Sequence, residues 1–355
     1  MDPGLLDSLV SEGPRYWREA LAPDTTANYC KMQMYFVRWL VVCGLLAAFA
    51  DPMYIPFVMC NYVHFLARTV SYRAIKGPYL SAVVRLYLLL GLVHPVEQGG
   101  FILQQTLAGV KRVLGDFQNP KRPITPAILV GFFEVLRIGT AGVLPTAAVI
   151  WFAMLYAFYG FFRKANVTAK KVPWETNTSA PRRRDVYIDR DAYVLWVLVR
   201  HTKTIQHGQR TIWIPMTGIR GHILDVIAAY DLAIALVPAG PDDHLFSIPS
   251  PTGRGIVPLS HDAFVGVVKA CVAAIGLDPA SVAGHSFRRG GCAFAHHCQV
   301  PPAFIKLQGD WRSNAYLAYI TVPDQDKVLV SATMVACIVG GDLGASIFGG
   351  SRVVP

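Results

Sequence analysis

His285 and Arg288 stand three positions apart in the stretch AGHSFRRGGCAFA, and two glycines follow the arginine pair. On a helix that spacing puts an imidazole and a guanidinium on one face. The guanidinium is a planar fork of donors suited to a phosphate, and the imidazole can donate or carry a proton near neutral pH. Gly290 and Gly291 weaken a helix but permit close approach of backbone or ligand. A capped helix with a solvated arginine and a core-edge histidine would look the same, so the pair takes its meaning from the rest of the chain.

A phosphoryl transfer through a covalent tyrosine needs a nucleophile, cationic donors to the nonbridging oxygens and an acid for the departing oxygen. Tyr319 in YLAYI is the candidate nucleophile, with Tyr316 as its rival. Tyrosine ionises near about pH 10, so it needs a strongly positive pocket to attack at neutral pH. Arg163, where an apolar helix stops, could supply a second guanidinium, and Lys203 in RHTKTIQHG could protonate a leaving 5′ hydroxyl. Trp311 in LQGDWRS could donate its indole N–H to phosphate or pack behind the tyrosine. No metal site is expected, because His296, His297 and Cys298 are adjacent and poorly spaced for three ligands on one helix face.

This ordered set resembles that of the tyrosine recombinases and integrases, which carry Arg, Lys, His-x-x-Arg, a His or Trp, and a late Tyr. More narrowly, GHSFRRGGCAFA with IKLQGDWRSNAYLAYI resembles the recombinases of DIRS-like retrotransposons and Crypton-like elements, over about residues 20 to 325. The resemblance implies attack by Tyr319 on a DNA phosphate, giving a 3′-phosphotyrosyl intermediate and a free 5′ hydroxyl. Arg163 and Arg288 would hold the nonbridging oxygens, Lys203 would be the general acid, and His285 would assist proton transfer or bind phosphate. It also implies double-stranded DNA as partner, a tetramer around two duplexes, and no cofactor, nucleotide or metal. Two details depart from the pattern: Asn166 stands where an acidic residue is frequent, and the interval from Trp311 to Tyr319 is one residue short. A DNA-binding protein that keeps the fold without turnover is therefore an alternative, as is strand relaxation of the type IB topoisomerase kind.

The wider composition fits a polyanionic partner. Lys and Arg number 33 against 23 Asp and Glu, a formal balance of +10. The chain is 53% hydrophobic and 16% charged, which excludes a largely disordered protein and raises the question of a membrane. Ile138 to Phe162 carries no formal charge, but Gly139, Gly142 and Pro145 interrupt it, so a buried helix from about Pro145 to Phe162 is expected instead of a span. No secretory signal is apparent at the start. The seven cysteines, without a C-x-x-C pair, read as reduced core residues.

The elements that must position these groups follow from periodicity. Apolar residues at helical spacing predict a bundle of four helices between about Asp24 and Leu114. Residues 1–115 are expected to form a helical domain similar to the family's DNA-clamping domain, with Arg38, Arg73, Lys76, Lys111 and Arg112 as candidate DNA contacts. The proline-rich stretch DFQNPKRPITP marks a linker over 116–126. Residues 127–325 form the candidate catalytic domain: helices, then short strands in RRRDVYID, AYVLWVLVRHTKT and QRTIWIPM, then helices again. The fold class is mainly α with a small antiparallel β-sheet. Arg182, Arg183 and Arg184 read as an exposed basic loop for backbone phosphates and for nuclear entry, and Arg289 as a further DNA contact. The apolar tail 326–355 would dock on a neighbouring protomer or on its own domain.

Overall fold

The computed structural model describes residues 20–21, 23–116, 121–140, 142–169, 180–200 and 210–320, with positions 335 and 339. The chain separates into two compact units, Met1–Asn119 and Pro120–Pro355.

The first unit is helical. Its helices are α1 (Pro23–Val42), α2 (Ile55–Leu66), α3 (Leu80–Leu89) and α4 (Pro95–Leu114), and α3 is led in by a short turn, Tyr72–Ala74, and a π-helical segment, Ile75–Tyr79. Pro78 lies inside that segment, and its missing amide explains why regular α-helix starts only at Leu80. Helix α4 opens behind His94, whose Nδ1 accepts the Glu97 amide at 3.2 Å, and it is kinked at Gly100, whose φ of 50° suits glycine. The core is aromatic: Phe36 lies 4.7 Å from Tyr62, and Trp39 lies 5.1 Å from Tyr62, centroid to centroid.

The second unit wraps a small sheet and several helices round one buried helix. Its elements are α5 (Pro126–Val135), α6 (Pro145–Tyr159), strands β1 (Val186–Asp189), β2 (Val194–Val199) and β3 (Ile212–Thr217), and α7 (Val226–Leu236). A second hairpin, β4 (Ser247–Pro249) with β5 (Ile256–Pro258), precedes α8 (His261–Ala274), α9 (Ser286–His297) and α10 (Pro302–Gln308). Strands β1, β2 and β3 form one antiparallel sheet in that order, with Val186 opposite Val197 and Val197 opposite Ile214.

Helix α6 is the apolar stretch that raised the membrane question. It is 15 residues long and buried from Ala148 to Phe158, which is why it needs no polar face. Among the described residues no helix is long and apolar enough to cross a membrane. Residues 121–124 are not a free linker, since Lys121 Nζ donates to the Ala280 carbonyl at 2.7 Å and the Ile124 amide to the Ser286 carbonyl at 3.0 Å. The cysteines are only partly in the core: Cys60, Cys271 and Cys292 are buried, whereas Cys30, Cys43 and Cys298 are exposed at helix surfaces and ends. The tail expected to dock lies outside the described residues, apart from two exposed positions.

Candidate active site

The site is built where α6 stops and α9 starts. Gly160 caps α6, and a side chain there would strike the Phe162 ring, 2.1 Å from an added Cβ. Phe161 then takes a positive φ of 50°, which turns its carbonyl toward α9 and delivers Arg163 to the first position before a 3-10 turn, Lys164–Asn166. Arg163 is half-buried there.

Helix α9 is drawn in close by the two glycines of RRGG. A Cβ on Gly290 would lie 1.8 Å from the Ile124 carbonyl oxygen, and one on Gly291 would lie 2.1 Å from the Phe158 carbonyl oxygen. The glycines thus serve backbone packing, and that packing sinks Arg288 to 3% exposure. His285 is the residue before the first turn of α9, with no capping bond from its side chain, and it stays at the surface.

Arg288 is the hub. One Nη donates to the Phe161 carbonyl and the other to the Gly309 carbonyl at 2.8 Å. Its Cζ sits 3.9 Å from the ring centroid of Trp311, a cation–π contact, and the Tyr319 phenol is near enough to bear on its charge. Nε is enclosed with no hydrogen-bond partner among the described residues. A guanidinium carries more N–H donors than two carbonyls take up, so donors remain for an anion. Burial, and next the Arg163 charge, pull the Arg288 pKa down to about 10, which leaves the group charged at neutral pH. The same cations act on His285: partial desolvation, then Arg163, Arg288, Lys164 and Arg289, hold its imidazolium below the ordinary histidine range.

The two tyrosines separate by accessibility. Both lie on a 3-10 turn, Asn314–Tyr319, not on an α-helix. Tyr316 is 5% exposed and packs 6.1 Å from Trp311 in a small core with Phe161, Cys292 and Ile305. Tyr319 is half-buried, 5.9 Å from Trp311, with the Arg289 guanidinium 5.5 Å from its ring centroid. Trp311 is held by its own turn: a Cβ on Gly309 would lie 1.8 Å from the indole, and Asp310, at φ 51°, pairs with Arg210.

Arg163, His285, Arg288, Trp311 and Tyr319 are therefore brought together, whereas Lys203 lies outside the described residues. The segment bearing Lys203 is bracketed by two arginines on buried carboxylates, Arg200 on Asp185 and Arg210 on Asp310. Asn166 is buried and shares a small cavity, about 10 Å³, with Asp185 and Arg200, so a carboxylate does stand behind the Arg163 turn although residue 166 lacks one. Gly309, Asp310 and Arg210 were not singled out from sequence; the adjacency of Asp310 to Trp311 was the available signal.

The outlying basic residues behave differently from one another. Arg38, Arg73, Lys76, Lys111 and Arg112 are exposed in the first unit, and Arg73 and Lys111 converge on Asp116 at 3.8 and 3.4 Å. The run Arg182 to Arg184 is no free loop. Arg183 is 8% exposed and donates to the Val237 carbonyl at 2.8 Å, which corrects its reading as a DNA contact. Arg182 donates to the Asp242 carbonyl at 2.7 Å and Arg184 pairs with the Asp242 carboxylate, so both are engaged in the fold. Among the described residues no group of His, Cys, Asp and Glu is arranged to hold a metal.

No protein-family model and no curated protein matches the sequence. Solved structures do match. The Tn1549 transposon integrase in complex with transposon right end DNA aligns over 92% of this chain and 98% of its own at 15% identity, with a TM-score of 0.58. The XerH site-specific recombinase bound to palindromic difH substrate aligns over 74% of this chain and 68% of its own at 13% identity, with a TM-score of 0.52. A Tn1549 integrase variant with circular intermediate DNA aligns over 79% and 85% at 14% identity, with a TM-score of 0.50. At such identities the likeness is one of fold: helix-rich with a small antiparallel sheet, as in the tyrosine recombinases.

Proposed function

We propose that this chain cuts and rejoins DNA strands through a covalent phosphotyrosine at Tyr319, as a site-specific recombinase or integrase. The observation that carries the reading is the convergence on Arg288: a buried guanidinium with the Tyr319 hydroxyl, the Trp311 ring and the Arg163 charge all about it. The DNA-bound recombinases and integrases that share the fold support the substrate class.

In this mechanism the Tyr319 oxygen attacks a backbone phosphorus and the bond to the 5′ oxygen breaks. Lys203 gives a proton to that oxygen, and Arg163 and Arg288 hold the nonbridging oxygens as charge builds on them. His285, whose protonated form is disfavoured by burial and then by its cationic neighbours, donates a hydrogen bond or takes the tyrosine proton. The reverse attack by a 5′ hydroxyl from a partner duplex reseals the strand and returns the proton. The bond energy stays in the phosphotyrosine, so no nucleotide is consumed.

The wider reading assigns the first unit to clamping duplex DNA, the assembled state to a tetramer on two duplexes, the setting to a mobile element of the DIRS or Crypton kind, and the compartment to the nucleus. A second reading, a DNA-binding protein that does not cut, is favoured by Asn166 and by the Arg288 fork already resting on two carbonyls.

The test uses a duplex selected for binding from a random-sequence pool and then nicked to trap the intermediate. Denaturing electrophoresis and peptide mapping should find an adduct on Tyr319, absent in Y319F and formed at least a hundredfold more slowly after Arg288→Lys, in line with losses of about 10² to 10³ on removing one transition-state donor. Tight binding with no adduct at any nick position would favour the non-cutting reading; an adduct on Tyr316 would move the nucleophile.

A further inference from the structure

Beside the Arg288 cluster lies a pair of groups that the chemistry above leaves idle. Lys164 follows Arg163 and is exposed, and its Nζ stands 3.5 Å from Nε2 of His261. His261 is the first residue of α8, behind the Ser260 hydroxyl that accepts the Ala263 amide at 3.2 Å. Gly284 forms the floor, since an added Cβ would come within 3.3 Å of Lys164 Cβ and 3.4 Å of His261 Cε1. Three segments distant in sequence thus meet in one patch, a step along the chain from Arg163 and from His285.

The patch is short of negative charge. Burial, then Lys164, disfavour the protonated form of His261, with Asp262 alone acting in the other direction. Lys164 adds to Arg163, Arg288 and Arg289 in disfavouring charge on His285. His261 Nδ1 is enclosed without a hydrogen-bond partner among the described residues. The ammonium now shares a hydrogen bond with Nε2, yet it keeps further N–H donors, and a phosphate oxygen beside the pair would accept from it and, once the ring is protonated, from Nε2 in place of the lysine contact.

We propose that Lys164 and His261 form a second phosphate site, which takes a non-scissile phosphodiester of the duplex whose scissile phosphate lies on Arg163, His285 and Arg288. The inference rests on the DNA reading above and adds to it. Lys164 acts as a point charge and His261 as a donor through Nε2. Because an anion favours the imidazolium, binding takes up a proton, and affinity rises as pH falls.

The probe is a selected duplex, with dissociation constants measured from 50 to 200 mM salt at pH 6 and pH 8. Each phosphate contact contributes about 0.9 to the salt slope, so K164A should lose about one unit of slope and vary about threefold less across that range. H261Q should remove most of the gain in affinity between pH 8 and pH 6. Replacing single phosphates by methylphosphonates should reveal one non-scissile position whose neutralisation weakens the wild type but leaves K164A unaffected. An unchanged slope in K164A overturns the proposal. So does a tenfold loss of adduct rate at saturating DNA with the slope intact, since the pair would then belong to the chemistry. If the wild type binds no duplex, the DNA reading itself falls; if it binds and both variants match it, only the second site falls.

Discussion

Gly290→Ala tests the architecture of the site with a single methyl group. The new Cβ would stand 1.8 Å from the Ile124 carbonyl oxygen, 2.7 Å from its carbon and 2.9 Å from its nitrogen. An ordinary carbon–oxygen contact is about 3.3 Å or more, so roughly 1.5 Å must be opened against backbone. The Ile124 amide donates to the Ser286 carbonyl at 3.0 Å, and that bond cannot survive such a shift. Helix α9 has little room to retreat, because Gly291 rests on the Phe158 carbonyl and the Phe161 ring. Overpacking costs about 1–3 kcal/mol and the lost hydrogen bond about 1, while alanine returns about 1 through helix propensity. The net loss is about 2 kcal/mol, or a fall of roughly 4–8 °C in the melting of the second unit. Gly266→Ala in α8 supplies the contrast: nothing lies within 4 Å of its added Cβ and it is an exposed helix position, so the same change should stabilise by up to about 1 kcal/mol. Calorimetry or urea unfolding of the two variants should therefore show opposite signs. A G290A protein as stable as the wild type would refute the close approach of α9 to residue 124.

Two further outcomes follow from buried groups. His244 is 1% exposed, burial pushes its pKa to about 4, and its Nδ1 accepts the Phe246 amide at 3.0 Å. The folded form thus binds protons more weakly than the unfolded chain, and stability is present above about pH 6.5 and lost as pH falls toward 4. The part due to His244 is about 2–3 kcal/mol between pH 7.5 and 4.5. An H244N variant, which retains an acceptor for the Phe246 amide, should show a flatter urea midpoint over that range; an unchanged pH slope would exclude His244 as its source. Asp310 combines a φ of 51° with its bond to the half-exposed Arg210. D310N should cost about 1 kcal/mol, and D310A about 1 more because asparagine tolerates the left-handed region better than alanine. Equal losses in thermal unfolding would contradict that account.

The helices and the three-stranded sheet were legible because their apolar residues recur at the right periods. The β4–β5 hairpin was not, since strands of 3 residues ending in Pro249 and Pro258 carry no alternation to detect. The π-helical segment Ile75–Tyr79 was not legible either, since its apolar spacing does not differ detectably from that of an α-helix. In the site, residue types and order pointed to His285, Arg288, Trp311 and Tyr319, while the difference in accessibility between Tyr319, half-buried, and Tyr316, enclosed, was not legible. The run Arg182 to Arg184 misled because charge density suggests exposure. Nothing local in the sequence announces that the Val237 carbonyl will cover Arg183. The glycines after Arg288 signalled close approach, but their partners, residues 124 and 158, are known only once the chain has folded.

The two carbonyls that grip Arg288 have a consequence for biosynthesis. One lies 127 residues upstream of it and the other 21 downstream, and Trp311 and Tyr319 come later still. The charged centre is thus stitched from regions that leave the ribosome far apart in time, with loop closure over long separations as the slow step. A chain released before Gly309 lacks a carbonyl, the indole and both candidate nucleophiles together. If the proposed strand cleavage is this protein's chemistry, truncated products would carry no means of nicking DNA, and that capacity would arrive only with the completed fold.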